Sequence, residues 1–67
     1  MKIFGERLKE LRLAKGLSAA KLGKILGVSD STIIRWENAT IIPSVFSLKL
    51  VAEYFGVSAD YLIGLED

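Results

Sequence analysis

The sequence predicts an all-α domain, a compact array of five short helices. Three observations carry that prediction. Apolar residues recur at helical spacing, serines stand where the helical patterns begin, and glycines stand where they end. No segment alternates like a strand, and there is no internal repeat or low-complexity stretch. The 67 residues make one domain, 1–67, with its core expected between about residues 4 and 64.

Phe4, Leu8, Leu11 and Ala14 mark the inner face of the first helix. Lys15 suits its negative C-terminal end, and Gly16 closes it in a left-handed conformation. Ser18 caps a second helix that holds Leu22, Ile25 and Leu26 and stops at Gly27. Ser29 caps a third, with Asp30 in its first turn, where negative charge is favoured, and with Ile33 and Trp36 facing inward. Asn38 to Ile42 is a loop. Pro43-Ser44 starts a fourth helix whose inner face is Val45, Leu48, Val51, Ala52 and Phe55. Gly56 ends it, and Ser58 caps a last turn or two through Tyr61, Leu62 and Ile63.

Composition narrows the function classes. With no Cys and no His, disulfide frameworks and the usual zinc sites are excluded, and packing alone must hold the chain together. The chain is 51% hydrophobic, yet no apolar run approaches the ~20 residues that span a bilayer. The N-terminus turns charged at once and lacks a secretory pattern, so a cytoplasmic setting is expected. There is no nucleophile system, phosphate-binding glycine loop or acidic metal cluster, so no catalysis, cofactor, metal or small-molecule ligand is expected. The formal net charge of +1 conceals an asymmetry. Residues 1–35 carry eight cations against three anions, and residues 36–67 one cation against five anions, giving halves of +5 and −4. Such a chain attracts a polyanion on one side only.

The informative unit runs from Ala19 to Asn38. Two helices that meet at a sharp angle need a small residue at their crossing, which Gly23 supplies. They need a short connection with a positive-φ position, which Gly27 provides without steric cost. They also need apolar residues facing a shared core, here Leu22, Leu26, Val28, Ile33 and Trp36. With these inward, Asp30, Ser31, Thr32, Ile34, Arg35 and Asn38 are left on the outside of the third helix.

Taken together, Gly16-Leu17-Ser18, Leu22, Leu26-Gly27-Val28-Ser29, Ser31-Thr32-Ile33, Arg35-Trp36-Glu37-Asn38, Pro43-Ser44 and Phe55-Gly56-Val57-Ser58-Ala59-Asp60-Tyr61-Leu62 resemble the phage-repressor and Cro-like helix-turn-helix family. The resemblance runs from about Phe4 to Gly64. It implies a lambda-repressor-like five-helix domain whose second and third helices read double-stranded DNA for a transcriptional regulator, with a repressor as the first expectation. It also implies a pair between Arg12 and Glu37 that ties the first helix to the end of the third, a geometry suited to the planar guanidinium fork.

In such domains the third helix lies in the major groove with its N-terminal residues on base edges. The resemblance makes Asp30, Ser31, Thr32, Ile34 and Arg35 the candidate base readers. Arg35 suits guanine O6 and N7, Asp30 a cytosine amino group, and Ile34 a thymine methyl. The candidate phosphate contacts are Ser18 with the amides of Ala19 and Ala20 at a helix N-terminus, and Lys21, Lys24, Asn38 and Thr40. Two positions depart from the family pattern. Ala19 stands where the family often has Gln, and Ala39-Thr40-Ile41-Ile42 replaces a loop that often carries Gly and basic residues. Fewer loop cations mean fewer released counterions, so modest and less salt-sensitive affinity is expected.

Phe46, Leu50 and Tyr54 form a second apolar stripe at i, i+4, i+8 on the fourth helix. It is either covered by the C-terminal segment with Ile63 and Leu65, or serves with Ile41 and Ile42 as a homodimer contact. A two-fold dimer would match two half-sites one helical turn apart. The alternative function is a protein-interaction or dimerisation module on the same fold with an idle third helix.

Overall fold

Four serines begin four helices. Ser18, Ser29, Ser44 and Ser58 each have extended backbone, and each side chain accepts a hydrogen bond from the backbone N–H three residues on. The bonds, from Lys21, Thr32, Ser47 and Tyr61, measure 3.0, 3.1, 3.0 and 2.9 Å. Each satisfies an N–H that the helix itself leaves unpaired, a contribution of about 1 kcal/mol apiece. In the computed structural model, which describes residues 1–67, the helices are α1 (Lys2–Ala14), α2 (Ala19–Leu26), α3 (Asp30–Glu37), α4 (Val45–Phe55) and α5 (Ala59–Ile63). There is no strand, and no helix is long and apolar enough to cross a membrane.

All five helices contribute to one core. Phe4 and Leu8 of α1, Leu22 of α2, Ile33 and Trp36 of α3, Val51 and Ala52 of α4, and Leu62 of α5 are buried together. The Phe4 and Trp36 rings meet edge to face with centroids 6.1 Å apart, the favoured aromatic geometry. Around this cluster pack Leu11, Leu26, Leu48, Phe55 and Tyr61, each partly buried.

Four facings differ from the sequence reading, the first being Ala14, which is exposed at the end of α1. Val45 is 85% exposed, because it is the first residue of α4 and lies a turn before Leu48, where the helix has run past the core. Ile25 is exposed, since Leu22 and Leu26 take the inner face of α2. Tyr54, read as part of a dimer stripe, instead packs against the core, with its ring edge-on to Phe55 at 4.9 Å and the Lys15 ammonium 5.0 Å from its centroid. The C-terminal segment does not cover the rest of that stripe. It runs back along α1, where Arg7 donates to the Tyr61 carbonyl and, at 2.7 Å, to the Glu66 carbonyl, while its guanidinium stacks 4.3 Å from the Tyr61 ring centroid. Leu65 stays exposed.

What matters most for the site is how α1 grips the end of α3. Gly5 is buried under it: a methyl group there would stand 2.5 Å from the carbonyl oxygens of both Trp36 and Glu37. Two helical turns further along, Arg12 binds Glu37 through two parallel bonds, Nε to Oε2 at 2.6 Å and Nη2 to Oε1 at 2.9 Å. Its remaining nitrogen, Nη1, donates to the Leu17 carbonyl at 2.9 Å. One guanidinium thus joins α1, the turn before α2 and the end of α3. Hydrogen bonding to Glu37 raises the Arg12 pKa against the opposing effect of burial, with the Glu37 charge adding to the rise. The cation is therefore stabilising at every pH below the ordinary arginine range, and that contribution is lost only as pH climbs through the raised value.

The two side chains are 11% and 7% exposed, so removing one partner strands a charge away from water. Glu37→Gln is expected to lower unfolding free energy by about 3–5 kcal/mol in a urea titration followed by Trp36 fluorescence. The paired change Arg12→Met with Glu37→Leu is expected to lose less than the single one, because no unpaired charge remains.

Candidate nucleic-acid interface

With Ile33 and Trp36 in the core, the opposite face of α3 is turned to solvent. Asp30, Ser31, Ile34 and Arg35 are exposed along it. Together with Asn38 and Thr40 they line an open hollow of about 380 Å³. Its chemistry is divided along the helix. A carboxylate stands at the N-terminal end and a guanidinium one and a half turns later, with a large exposed apolar side chain, Ile34, between them.

Why α3 stands out this way follows from its crossing with α2. A methyl group on Gly23 would lie 2.6 Å from the Val28 carbonyl oxygen and 3.2 Å from the Ser29 carbonyl carbon. The bare glycine lets the turn pass directly over α2, with the Val28 N–H bonded to the Gly23 carbonyl at 2.8 Å. Gly27 makes that turn with φ +78°, in the left-handed region where a side chain is strained.

The first turn of α3 assigns its polar groups. Asp30 Oδ1 accepts from the Ser31 N–H at 2.8 Å, which leaves the second carboxylate oxygen free. Thr32 is different from its neighbours. It is half-buried and its hydroxyl shares a 3.0 Å hydrogen bond with Ser29, so its side chain serves the cap and does not line the hollow. At the other end the helix leaves through Ala39, whose φ of +62° is unusual for a residue with a side chain. That bend returns the Thr40 N–H to the Arg35 carbonyl at 2.9 Å and to Asn38 Oδ1 at 3.1 Å. The left-handed exit at Ala39 was not legible as such, although the position is one where glycine would be unsurprising.

The N-terminus of α2 offers a second set of polar groups. Ser18, Ala20, Lys21 and Lys24 are exposed, whereas Ala19 is half-buried against the core, so only its backbone N–H can reach outward. The amides of Ala19 and Ala20 belong to the first helical turn and have no acceptor within the helix. The Ser18 hydroxyl oxygen accepts from Lys21, which leaves its proton available to a ligand. No group of His, Cys, Asp and Glu with metal-holding geometry is present.

The family model described as Helix-turn-helix matches residues 8–62. The chain belongs to this family. Over 64 residues the helix-turn-helix domain is 36% identical to the HTH-type transcriptional activator BcrR of Enterococcus faecalis, a match covering 96% of this chain and 31% of that protein. It is 33% identical over 61 residues to Repressor protein C2 of Salmonella phage P22, covering 91% of this chain and 28% of that protein. In three dimensions it matches the crystal structure of the P22 c2 repressor protein in complex with synthetic operator 9T in the presence of Tl⁺. The TM-score is 0.85 at 32% identity, over 92% of this chain and 94% of that one. This is a phage-repressor-type helix-turn-helix domain of five helices, with α2 and α3 as the paired helices of the motif. The chain spans about a third of the length of the activator and 56% and 50% of two further relatives, regulators of Bacillus subtilis and Rickettsia prowazekii.

The strain at Ala39 can be measured. Holding a non-glycine residue in the left-handed region costs about 1 kcal/mol or more, beyond the entropy that glycine adds to the unfolded chain. Ala39→Gly is therefore expected to raise the thermal midpoint of the helix-turn-helix domain by a few degrees, corresponding to roughly 0.5–1 kcal/mol. An unchanged or lower midpoint in a melting curve would show that the methyl group's packing outweighs the strain.

Proposed function

We propose that this helix-turn-helix domain reads double-stranded operator DNA for a transcription regulator, with α3 in the major groove. The observation that carries this reading is the solvent-facing row Asp30, Ser31, Ile34 and Arg35, and the unpaired amides of the α2 N-terminus supply further donors. A groove-reading helix needs side chains that protrude, and a flanking helix end needs unpaired donors for phosphate. A structural neighbour bound to a synthetic operator supports the same use of the fold. Relatives named as an activator and as a repressor contain a similar module, which supports its role as the reader. Whether transcription falls or rises then depends on what the bound protein blocks or recruits.

In this reading Arg35 forks onto guanine O6 and N7, the free oxygen of Asp30 accepts from a cytosine amino group, Ile34 lies on a thymine methyl, and Ser31 makes a further polar contact. Thr32 drops out of the reading set because its hydroxyl is held by Ser29. Ser18, the amides of Ala19 and Ala20, Lys21, Lys24 and Asn38 hold phosphates. The domain, residues 1–67, acts in the cytoplasm as one half of a homodimer. Ile41, Ile42 and Phe46 are 38%, 69% and 68% exposed, and with half-buried Leu50 we infer that they make an apolar patch on the loop and helix that follow α3. A patch of that kind marks a partner surface, and two copies on half-sites about 34 Å apart along one face of the duplex match a two-fold operator.

Selection of duplexes from a random pool tests the central proposal. Arg35→Ala is expected to relax preference at one base pair by about 1–3 kcal/mol, while Lys21→Ala and Lys24→Ala weaken binding to every sequence and each reduce the salt slope by about 1. An Arg35→Ala profile identical to that of the parent removes Arg35 from the reading set. Binding to a protein partner with no duplex selected would favour the interaction-module reading instead. Sedimentation with and without operator tests the dimer: a two-to-one complex with Ile42→Glu and Phe46→Glu reducing it to one-to-one is expected. One domain per site in the parent protein would sink it.

A further inference from the structure

The loop after α3 contains a Thr40–Asn38 contact that the reading above does not use. Asn38 caps α3, Ala39 bends the chain back, and Thr40 faces Asn38 across the bend. Asn38 Oδ1 receives two hydrogen bonds from Thr40, one from its backbone N–H at 3.1 Å and one from its hydroxyl. The backbone N–H is a donor only, so the carboxamide atom facing it must be the oxygen, and the orientation of the amide is set by chemistry. A carbonyl oxygen has two lone pairs, and both are occupied. What Asn38 has left is its NH₂ group, two donors and no acceptor, on the rim of the hollow it lines with Arg35.

We propose that Thr40 is a positioning residue for Asn38, holding it as a donor-only group toward the backbone phosphate that the reading above assigns to it. This rests on the DNA-reading proposal and refines it. An asparagine that reads adenine must accept from N6 with its oxygen while donating to N7, and the Thr40 bonds remove that acceptor. The position points the same way. Asn38 lies eight residues after Asp30, about 12 Å along the helix axis from the end that enters the groove, at the height of the flanking backbone. The Thr40 hydroxyl donates to Asn38, so the proposal gives Thr40 this positioning role in place of the phosphate contact that the sequence reading assigned to it. The loop from Ala39 to Ile42 carries no cation, so this phosphate contact is made by a neutral donor. It adds affinity without releasing a counterion.

The test is a double-mutant cycle on a duplex selected by the parent protein, measured at several salt concentrations. Asn38→Ala is expected to weaken binding about five- to tenfold, the size of one hydrogen bond, with an unchanged salt slope and an unchanged selected sequence. Thr40→Val is expected to weaken binding about threefold alone and to add nothing once Asn38 is Ala. A Thr40→Val loss that persists in the Asn38→Ala background overturns the positioning role, since Thr40 would then act on its own. A changed preference at one base pair in the Asn38→Ala selection overturns the phosphate assignment. A parent protein that selects no duplex at all overturns the DNA-reading proposal itself, whereas tight parent binding with no effect of Asn38→Ala overturns only this one.

Discussion

An eight-residue helix has no business holding its shape in water, because isolated helices of fewer than ~12–15 residues are marginal even with favourable residues. α3 therefore depends on being gripped. From one side the bare backbone at Gly5 lets α1 reach the carbonyls of Trp36 and Glu37, and the forked Arg12–Glu37 pair locks the same end. From the other, Gly23 lets the Val28–Ser29 turn lie on α2. The helix is held at both ends by close backbone approaches that no side chain would permit, and its middle is anchored by Ile33 and Trp36. Every exposed group on its outer face inherits its direction from that grip.

The grip also explains why the outer face can be chemically varied. Stability comes from the inner half of α3 and from its caps, so Asp30, Ser31, Ile34 and Arg35 contribute little to the core and are free to differ between proteins that share the fold. The Ser29 cap even draws Thr32 out of the exposed set through a hydroxyl–hydroxyl bond. Likewise the Asn38–Thr40 pair turns one neutral residue into a fixed donor at the helix end. Orientation is supplied by local hydrogen bonds that a structural role and a binding role share.

Far from α3, the chain closes on itself by a different device. Arg7 binds the Tyr61 and Glu66 carbonyls and stacks on the Tyr61 ring, while the Ser58 hydroxyl that caps α5 also donates to the Glu66 carboxylate. The segment after α5 is thereby led along α1, away from Phe46, and the apolar patch at the start of α4 is left open. In a small domain with no disulfide, such clasps replace part of what a larger core would supply.

The sequence by itself determined where the helices begin and end, the turn at Gly27 and the crossing at Gly23, because capping and turn chemistry act within three or four residues and leave a local trace. The inward pair Ile33 and Trp36 was legible because, Ile34 apart, the remaining residues of α3 are polar, so the periodic contrast is clear. On α4 that contrast is missing. Val45, Phe46, Leu48, Leu50, Val51, Ala52, Tyr54 and Phe55 surround the helix with apolar atoms, and only packing decided that Tyr54 turns in and Val45 turns out. Gly5, the Arg7 clasp and the left-handed bend at Ala39 were likewise decided by tertiary structure. Gly5 and Arg7 depend on carbonyls brought close by the fold, which a chain read residue by residue does not reveal, and Ala39 takes a conformation that its residue type does not signal.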